Sequence, residues 1–201
     1  MILSAAAAAL EGRFGPVASA SPDRSRRNAA VALVLRGPPG IADPPVRRCE
    51  VLAIRRSESP RDPWSGQMAL PGGSLEPADE GLLAAAVRET REETELPLDA
   101  GRDVLGRIET MRPLGPRLPA ISIWPFVFRT AAGAVARVAS PEVASVYWFP
   151  VRELADPERR GSHTWREGGL VRRFPCIEVE GRVIWGLTYR ILTRFLEVVG
   201  E

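Results

Sequence analysis

The chain has 201 residues, of which 45% are hydrophobic, so its composition excludes a disordered protein and suits one well-buried domain. Its formal net charge of +2 gives no general reason to expect binding to nucleic acid or to a membrane surface. Apart from one histidine, every basic residue is arginine, whose planar guanidinium group is suited to phosphate and carboxylate.

The two cysteines, Cys49 and Cys176, lie far apart and match no metal-ligand spacing. We therefore predict a reduced, cytoplasmic protein in which both are small core residues. The opening segment MILSAAAAALEGRF has no basic residue before its apolar run, which favours a short helix capped near Ser4 over a secretion signal. No apolar run approaches the roughly 20 residues that span a bilayer, so we expect a soluble protein.

In chain order, residues 1–28 are predicted to form this helix and a Ser/Pro-rich linker, and residues 29–201 the main domain. Apolar runs rich in β-branched residues predict strands at 29–37, 49–57, 121–130, 142–151, 173–179 and 182–187. The last two flank Glu180-Gly181, which predicts a hairpin.

The chain ends in a predicted amphipathic helix. Leu187, Ile191, Phe195 and Val199 recur there at helical spacing. Strands therefore surround a central helix and precede a terminal one, an order that predicts a mixed α/β (α+β) sandwich.

The central segment LPGGSLEPADEGLLAAAVRETREETEL (70–96) joins a Pro-Gly-Gly turn to a helix that ends in glutamates. From Leu82 onward its residues are strong helix formers. Leu83, Val87 and Thr90 follow at spacings of four and three, which predicts that they form one buried stripe.

Glu89, Glu92 and Glu93 stand at i, i+3 and i+4 and are predicted to share another face of this helix, where like charges repel. They can form a solvated surface in which Arg88 pairs with Glu92. Alternatively they can hold a hard divalent cation, because Mg²⁺ prefers carboxylate oxygens and keeps other positions for water and substrate phosphates. The glycines of the preceding turn allow the backbone to approach an ion or a phosphate closely.

These residues resemble the box of the Nudix hydrolases, G-x5-E-x7-R-E-U-x-E-E-x-G-U, in which U is aliphatic. The matching positions are Glu80, Arg88, Glu89, Glu92, Glu93 and Leu96. The resemblance implies a Nudix-type α/β/α sandwich with a mixed sheet, a box helix and a C-terminal helix.

The chain departs from this box at three positions. Gly73 lies seven residues before Glu80, one more than usual. Thr90 replaces the aliphatic residue, and Glu95 stands where glycine is usual. The core R-E-x-x-E-E is intact.

Segments outside the box are similar to one branch of the family, the coenzyme A pyrophosphatase-like proteins. GGSLEPAD (72–79) resembles the longer GG…P-x-D connection of that branch. VLAIRRSESPRDPWSGQMALPGG (51–73) resembles its arginine-rich signature, with Trp64 at the usual His position and Leu70 at the usual Phe. RVIWGLTYRIL (182–192) is similar to its I-W-G-x-T-x-x-I-L, and together these segments suggest coenzyme A or an acyl derivative as substrate.

The family resemblance implies hydrolysis of a nucleoside diphosphate linked to another group, with Mg²⁺ or Mn²⁺ neutralising the pyrophosphate and activating water. It implies Glu89 and Glu93 as the strongest metal ligands, Glu92 as the third and the carbonyl of Gly72 as a fourth. Arg88 is expected to pair with an acidic neighbour and fix the rotamers of the metal ligands.

The general base can come from outside the box in this family. Glu142, in SPEVASVYWFP, is the candidate, either as base or as an extra metal ligand. An exposed loop acid before a strand is an equally good interpretation of Glu142, and Glu92 is the alternative base.

Substrate contacts are expected near the glycine turn. Arg55 and Arg56 end a predicted strand and can grip phosphate with forked hydrogen bonds. Gln67 and Trp64 lie in the loop that leads into the box. His163 stands alone in a predicted Gly/Ser-rich loop, where we expect no catalytic or metal role.

Two other interpretations stay open. The domain can bind nucleotides without hydrolysis, although the intact glutamates of the box favour an enzyme. The enzyme can also act on ADP-ribose, NADH, an ADP-sugar, a dinucleoside polyphosphate or a nucleoside triphosphate. In each case the predicted partner is a small nucleotide-type molecule, and the terminal segments can support a homodimer.

Overall fold

A computed structural model of the chain describes residues 1–23, 25–60, 62–113, 119–167 and 170–201. The helices are α1 (Leu3–Phe14), α2 (Leu82–Thr94), α3 (Val151–Leu154) and α4 (Gly186–Val199). The strands are β1 (Arg27–Arg36), β2 (Glu50–Arg56), β3 (Met68–Ala69), β4 (Gly72–Ser74), β5 (Val104–Arg107), β6 (Ile121–Thr130), β7 (Val143–Pro150), β8 (Arg160–Glu167), β9 (Leu170–Val179) and β10 (Arg182–Trp185).

β1 is the centre of a mixed sheet with the order β3-β2-β1-β6-β5 in the described residues. It runs parallel to β6 along its whole length. Its antiparallel pairing with β2 is limited to Leu35 with Val51 and Arg36 with Glu50, after which the two strands diverge. β7 pairs with β2 along the opposite edge.

The chain between Met68 and Ser74 fills the split between β1 and β2. β3 pairs with the end of β2, and β4 pairs with the start of β1. The carbonyl of Pro71 accepts a hydrogen bond from the N–H of Ala32 at 2.9 Å. The Pro-Gly-Gly turn is therefore held by both strands.

Side chains alternate along β1 and divide the core into two layers. Leu33 and Leu35 pack in a cluster that includes residues of α1 and α4. Ala32 and Val34 pack in a second cluster with residues of α2. Because helices cover both faces of a mixed sheet, the predicted α+β sandwich with a box helix and a C-terminal helix is confirmed.

α1 packs into the same core as α4, with Leu3, Ala6 and Leu10 buried. The predicted cap near Ser4 is wrong, because the helix begins after Ile2 and has no side-chain cap. The Ser4 hydroxyl instead donates to a carboxylate oxygen of Asp43 at 2.5 Å.

The buried stripe of α2 differs from the predicted one. Leu82, Ala86 and Thr90 are buried, whereas Leu83 and Val87 are only half-buried. Small alanines face the sheet and let the helix lie close to it, so the larger side chains fall at the margin of the interface. The Thr90 hydroxyl donates to the carbonyl of Ala86 at 2.7 Å, which satisfies its polar group within the core.

A second sheet has the order β10-β9-β8 in the described residues. The predicted hairpin at Glu180-Gly181 is confirmed, because Arg182 pairs with Val179 across a two-residue turn. The loop predicted around His163 is wrong. His163 lies in β8, opposite Phe174 of β9. This strand is polar, so it lacks the apolar run by which strands are predicted from sequence.

The C-terminal helix is confirmed, with Ile191, Phe195 and Val199 buried as predicted and Leu187 half-buried. Cys49 and Cys176 are free and buried, as expected of core thiols. In the described ranges, no helix is both long enough and apolar enough to cross a membrane.

Candidate active site

The glycine turn lies directly against β1 and α2. Gly72 has a φ of 150°, and a Cβ there would stand 2.3 Å from the carbonyl oxygen of Ala30. A Cβ on Gly73 would stand 2.3 Å from a carboxylate oxygen of Glu89. Position 72 therefore needs glycine both for space and for its backbone conformation, whereas a side chain at position 73 would displace the carboxylate of Glu89.

Glu93 is the most buried acid of the site, with 4% of its surface exposed. Its carboxylate accepts a hydrogen bond from the N–H of Gly72 at 2.9 Å, which joins the helix to the turn. Burial raises the pKa of Glu93 to about 7, and the neighbouring charges of Glu89 and Glu142 act in the same direction. Within the described residues it has no ion-pair partner at salt-bridge distance.

Glu89 lies one helical turn before Glu93 and faces the same glycines. Its side chain is 17% exposed, and burial raises its pKa against the opposing charge of Arg88. Glu92 and Glu142 add to the rise. The two helix glutamates and Glu142 therefore form one electrostatic cluster.

Arg88 uses its guanidinium group to hold the surroundings of this cluster. Its donors reach both oxygens of Asp79, the carbonyl of Ser74, Glu89 and Glu92, all at 2.9–3.1 Å. Five contacts match the five N–H donors of an arginine. The bond from Arg88 holds the pKa of Asp79 below its usual range, so the pair stays charged.

The three box glutamates differ in burial, although Glu89 and Glu92 accept from the same nitrogen of Arg88. Glu93 is buried, Glu89 is partly buried, and the side chain of Glu92 is 57% exposed while it shares Arg88 at 3.0 Å. Successive helical residues turn by about 100°, so Glu92 and Glu93 fall on either side of Glu89. One points to solvent and the other to the sheet.

Glu142 lies in the loop immediately before β7 and is exposed. Its carbonyl accepts a hydrogen bond from the N–H of Ser57 at 2.8 Å, which fixes the loop beside the end of β2. Its charge acts on both Glu89 and Glu93. This position is compatible with Glu142 as the general base and also with Glu142 as an extra metal ligand.

The cluster fits a divalent cation in the type of its donors. Among the described residues, no three His, Cys, Asp or Glu side chains already stand at metal-ligand spacing. Yet Glu93 is a buried carboxylate whose carboxylate neighbours disfavour its ionised form, and a hard cation would reverse that effect.

The two arginines predicted to grip phosphate together point to different places, because neighbouring strand residues face opposite sides. Arg56 donates to Asp62 at 2.6 Å, and its charge lowers the pKa of Glu93. Arg55 pairs with Glu58 at 3.2 Å and lines a separate cavity of about 490 Å³ together with Gln67.

The sequence did not predict the part of this cavity that the second sheet supplies. His163 and Trp165 from β8, and Arg182 and Trp185 from β10, line it together with Arg55. The alternation that brings His163 and Trp165 to one face is present in the sequence, but only the pairing with β9 identifies their segment as a strand.

Residues 26–174 match the NUDIX domain family. Since this match covers more than half of the chain, the chain belongs to the Nudix family, and the prediction of a Nudix hydrolase is confirmed at that level.

The chain is similar to proteins described as the uncharacterized Nudix hydrolase NudL. The protein from Yersinia enterocolitica serotype O:8 / biotype 1B is 30% identical over 152 residues, which cover 74% of this chain and 73% of the relative. The protein from Yersinia pestis strain Pestoides F is 28% identical over 149 residues, which cover 74% and 72%.

Among solved structures, a MutT/nudix family protein from Enterococcus faecalis superposes with a TM-score of 0.57. Its sequence identity is 16%, and the match covers 91% of this chain and 66% of that chain. This likeness supports the fold.

Proposed function

We propose that the chain hydrolyses the pyrophosphate bond of a nucleoside diphosphate linked to another group, with Mg²⁺ or Mn²⁺ as cofactor. The observation that supports this most directly is the buried Glu93, which lies beside Glu89 and bonds to the Gly72 amide at 2.9 Å. A carboxylate in that position is costly to keep charged without a cation.

Glu89 and Glu93, with the carbonyl of Gly72 and the exposed Glu92, would hold the cation. When bound, the cation neutralises pyrophosphate charge and lowers the pKa of a water molecule. Arg88 acts as a positioning residue: its bonds to Asp79 and to the Ser74 carbonyl fix the helix relative to the turn.

Glu142 is our candidate for the general base that removes a proton from the attacking water. Its exposure makes the carboxylate accessible to water, and the Ser57 bond keeps its loop near Glu89 and Glu93. Glu92, also exposed, is the alternative base.

For the substrate we propose coenzyme A or an acyl derivative, cleaved to adenosine 3′,5′-bisphosphate and 4′-phosphopantetheine. The two signature segments that suggest this branch lie in contact, since the Thr188 hydroxyl donates to the Met68 carbonyl at 3.1 Å. Trp64, at the usual His position, packs with an apolar cluster that includes Ile121. ADP-ribose, NADH, dinucleoside polyphosphates and nucleoside triphosphates are the alternative substrates.

The test is hydrolysis of a substrate panel by the purified chain with Mg²⁺ or Mn²⁺, with products identified by mass spectrometry. We expect turnover that stops in EDTA, and a higher kcat/KM for coenzyme A than for ADP-ribose or NADH. A clear preference for ADP-ribose or NADH would contradict the coenzyme A assignment, whereas tight nucleotide binding without any turnover would favour the non-hydrolytic module.

We also propose a cytoplasmic location, which suits two free, buried thiols. The homodimer suggested by the terminal segments stays a prediction, and light scattering on the purified chain measures it. The proposed partner is a small nucleotide-type molecule, with neither nucleic acid nor a membrane involved.

A further inference from the structure

The cavity between β2 and the second sheet carries two arginines that the reaction centre does not use. Arg182 donates to the Tyr147 hydroxyl at 3.1 Å, and its guanidinium lies 5.1 Å from the centroid of that ring. A hydrogen bond with Ser145 lowers the pKa of Tyr147, and the charges of Arg182 and Arg55 lower it further. The positive charges of both guanidinium groups therefore reach the Tyr147 hydroxyl.

Glu58 is the acid that lines the cavity with these arginines, and it forms an exposed ion pair with only one of them. Glu58 pairs with Arg55 at 3.2 Å, but its side chain is 75% exposed. Such surface ion pairs contribute little, so an incoming anion can replace the carboxylate. Among the described residues that line the cavity, two arginines therefore face one acid.

Aromatic rings form another part of the cavity lining. The rings of His163 and Trp185 lie 4.6 Å apart at an angle of 30°, and Phe174 supports Trp185 at 5.3 Å. Trp165 stands two residues after His163, on the same face of β8. Aromatic surfaces of this kind take a planar base by stacking.

We infer that this cavity binds the nucleoside end of the substrate through a phosphomonoester that is separate from the pyrophosphate being cut. Arg55 and Arg182 bind that phosphate, and the rings of Trp165 and His163 take the base. The inference rests on the proposed function, and it adds the residues that distinguish a ribose-phosphorylated substrate from one without that phosphate.

The size and position of the cavity support this ligand class. A volume of about 490 Å³ is within the range of small-molecule sites, about 300–1,000 Å³, and far exceeds what a lone phosphate needs. Arg56, whose charge reaches Glu93, lies on the opposite face of β2 from Arg55. Because Arg55 and Arg56 are the last two residues of β2, a substrate that passes around the end of this strand would meet separate arginines at its pyrophosphate and at its second phosphate.

The experiment is calorimetric titration of the full chain in EDTA with adenosine, AMP and adenosine 3′,5′-bisphosphate. We expect the bisphosphate to bind at least tenfold more tightly than AMP, and adenosine to bind more weakly than both. Arg182→Gln should remove most of the difference between bisphosphate and AMP, because only Arg55 then remains to bind the second phosphate. Glu58→Gln should tighten bisphosphate binding several-fold by freeing Arg55.

Arg166→Gln is the matched control, since Arg166 is exposed on the same sheet and adjacent to Trp165 but on the opposite face of β8. It should leave all three affinities unchanged. His163→Ala should weaken adenosine and bisphosphate by the same factor, because it removes a ring and leaves the phosphate contacts in place.

Equal affinities for AMP and the bisphosphate, or an Arg182→Gln variant that keeps the tenfold difference, would overturn the inference. Because binding is measured without metal and needs no turnover, an inactive protein with these affinities would contradict only the proposed hydrolysis. Hydrolysis that is unaffected by loss of the 3′-phosphate would contradict only the cavity assignment.

Discussion

Glu93 differs from the other box glutamates because its carboxylate is buried against the glycine turn. The N–H of Gly72 is its hydrogen-bond donor, and Arg56 lowers its pKa only by charge. A group with these surroundings contributes to function through its charge more than through its bulk.

Glu93→Gln should therefore reduce kcat by about 10³-fold, or about 4 kcal/mol of transition-state stabilisation, with little change in thermal stability. The amide keeps the size and the oxygen that accepts from Gly72 but removes the negative charge. Steady-state kinetics with saturating Mg²⁺ and a thermal melt measure both effects. Glu95→Gln, an exposed position two residues away, is the control, and activity of Glu93→Gln within a few-fold of wild type would refute the metal-ligand role.

Glu142→Gln separates the two roles considered for that residue. As the base, Glu142 should contribute about 10²-fold or more to kcat while the activating concentration of Mg²⁺ stays near that of wild type. As a ligand, it should shift that concentration upward. Kinetics at a series of Mg²⁺ concentrations distinguish these outcomes, and unchanged kinetics would return the role to Glu92.

At the scale of elements, α2 ends in a conformation that its sequence disfavours. Glu95 has a φ of 56° at the end of the helix, where its N–H donates to the carbonyl of Arg91. The box usually has glycine at this position, and the left-handed conformation explains that preference without reference to catalysis.

Glu95→Gly should raise the free energy of unfolding by about 0.5–1 kcal/mol, because it relieves left-handed strain at a cost in unfolded-chain entropy. In a chain of this length the melting temperature should rise by about 2 °C. Glu95→Ala is the control, since it removes the charge but keeps the Cβ and the strain. Equal stabilisation by alanine and glycine would show that charge, and not backbone conformation, limits this helix end.

At the scale of the whole molecule, the sequence pattern predicted those elements whose own residues determine their structure. The strand 121–130 was predictable because both of its faces are buried from residue 121 to 128, where every residue except Ser122 is apolar. β8 was not, because its sequence RGSHTWRE is polar and it is held as a strand by pairing with β9. The burial of Glu93 was likewise out of reach, since it depends on a turn 21 residues earlier that fills the split between β1 and β2.

Core packing also controls the chemistry of Cys49, which lies in the core cluster that includes residues of α1 and α4. Burial raises the pKa of its thiol from 9.0 to about 11. Because the thiol pKa is raised in the folded state, burial of Cys49 stabilises the fold at pH values below the pKa of the unfolded chain, 9.0. This contribution to the free energy of unfolding is lost as pH rises from about 9 to about 11, because the unfolded chain binds fewer protons than the folded chain in that range.

Iodoacetamide at pH 8 should therefore alkylate native Cys49 far more slowly than the same residue in guanidinium chloride. Peptide mass spectrometry after timed quenching gives both rates. Because Cys49 packs among elements from both ends of the chain, its native rate should follow global unfolding and fall when Glu95→Gly stabilises the fold. A native rate close to the denatured one, or one insensitive to that substitution, would mean that the Cys49 region opens locally while the rest of the core stays folded.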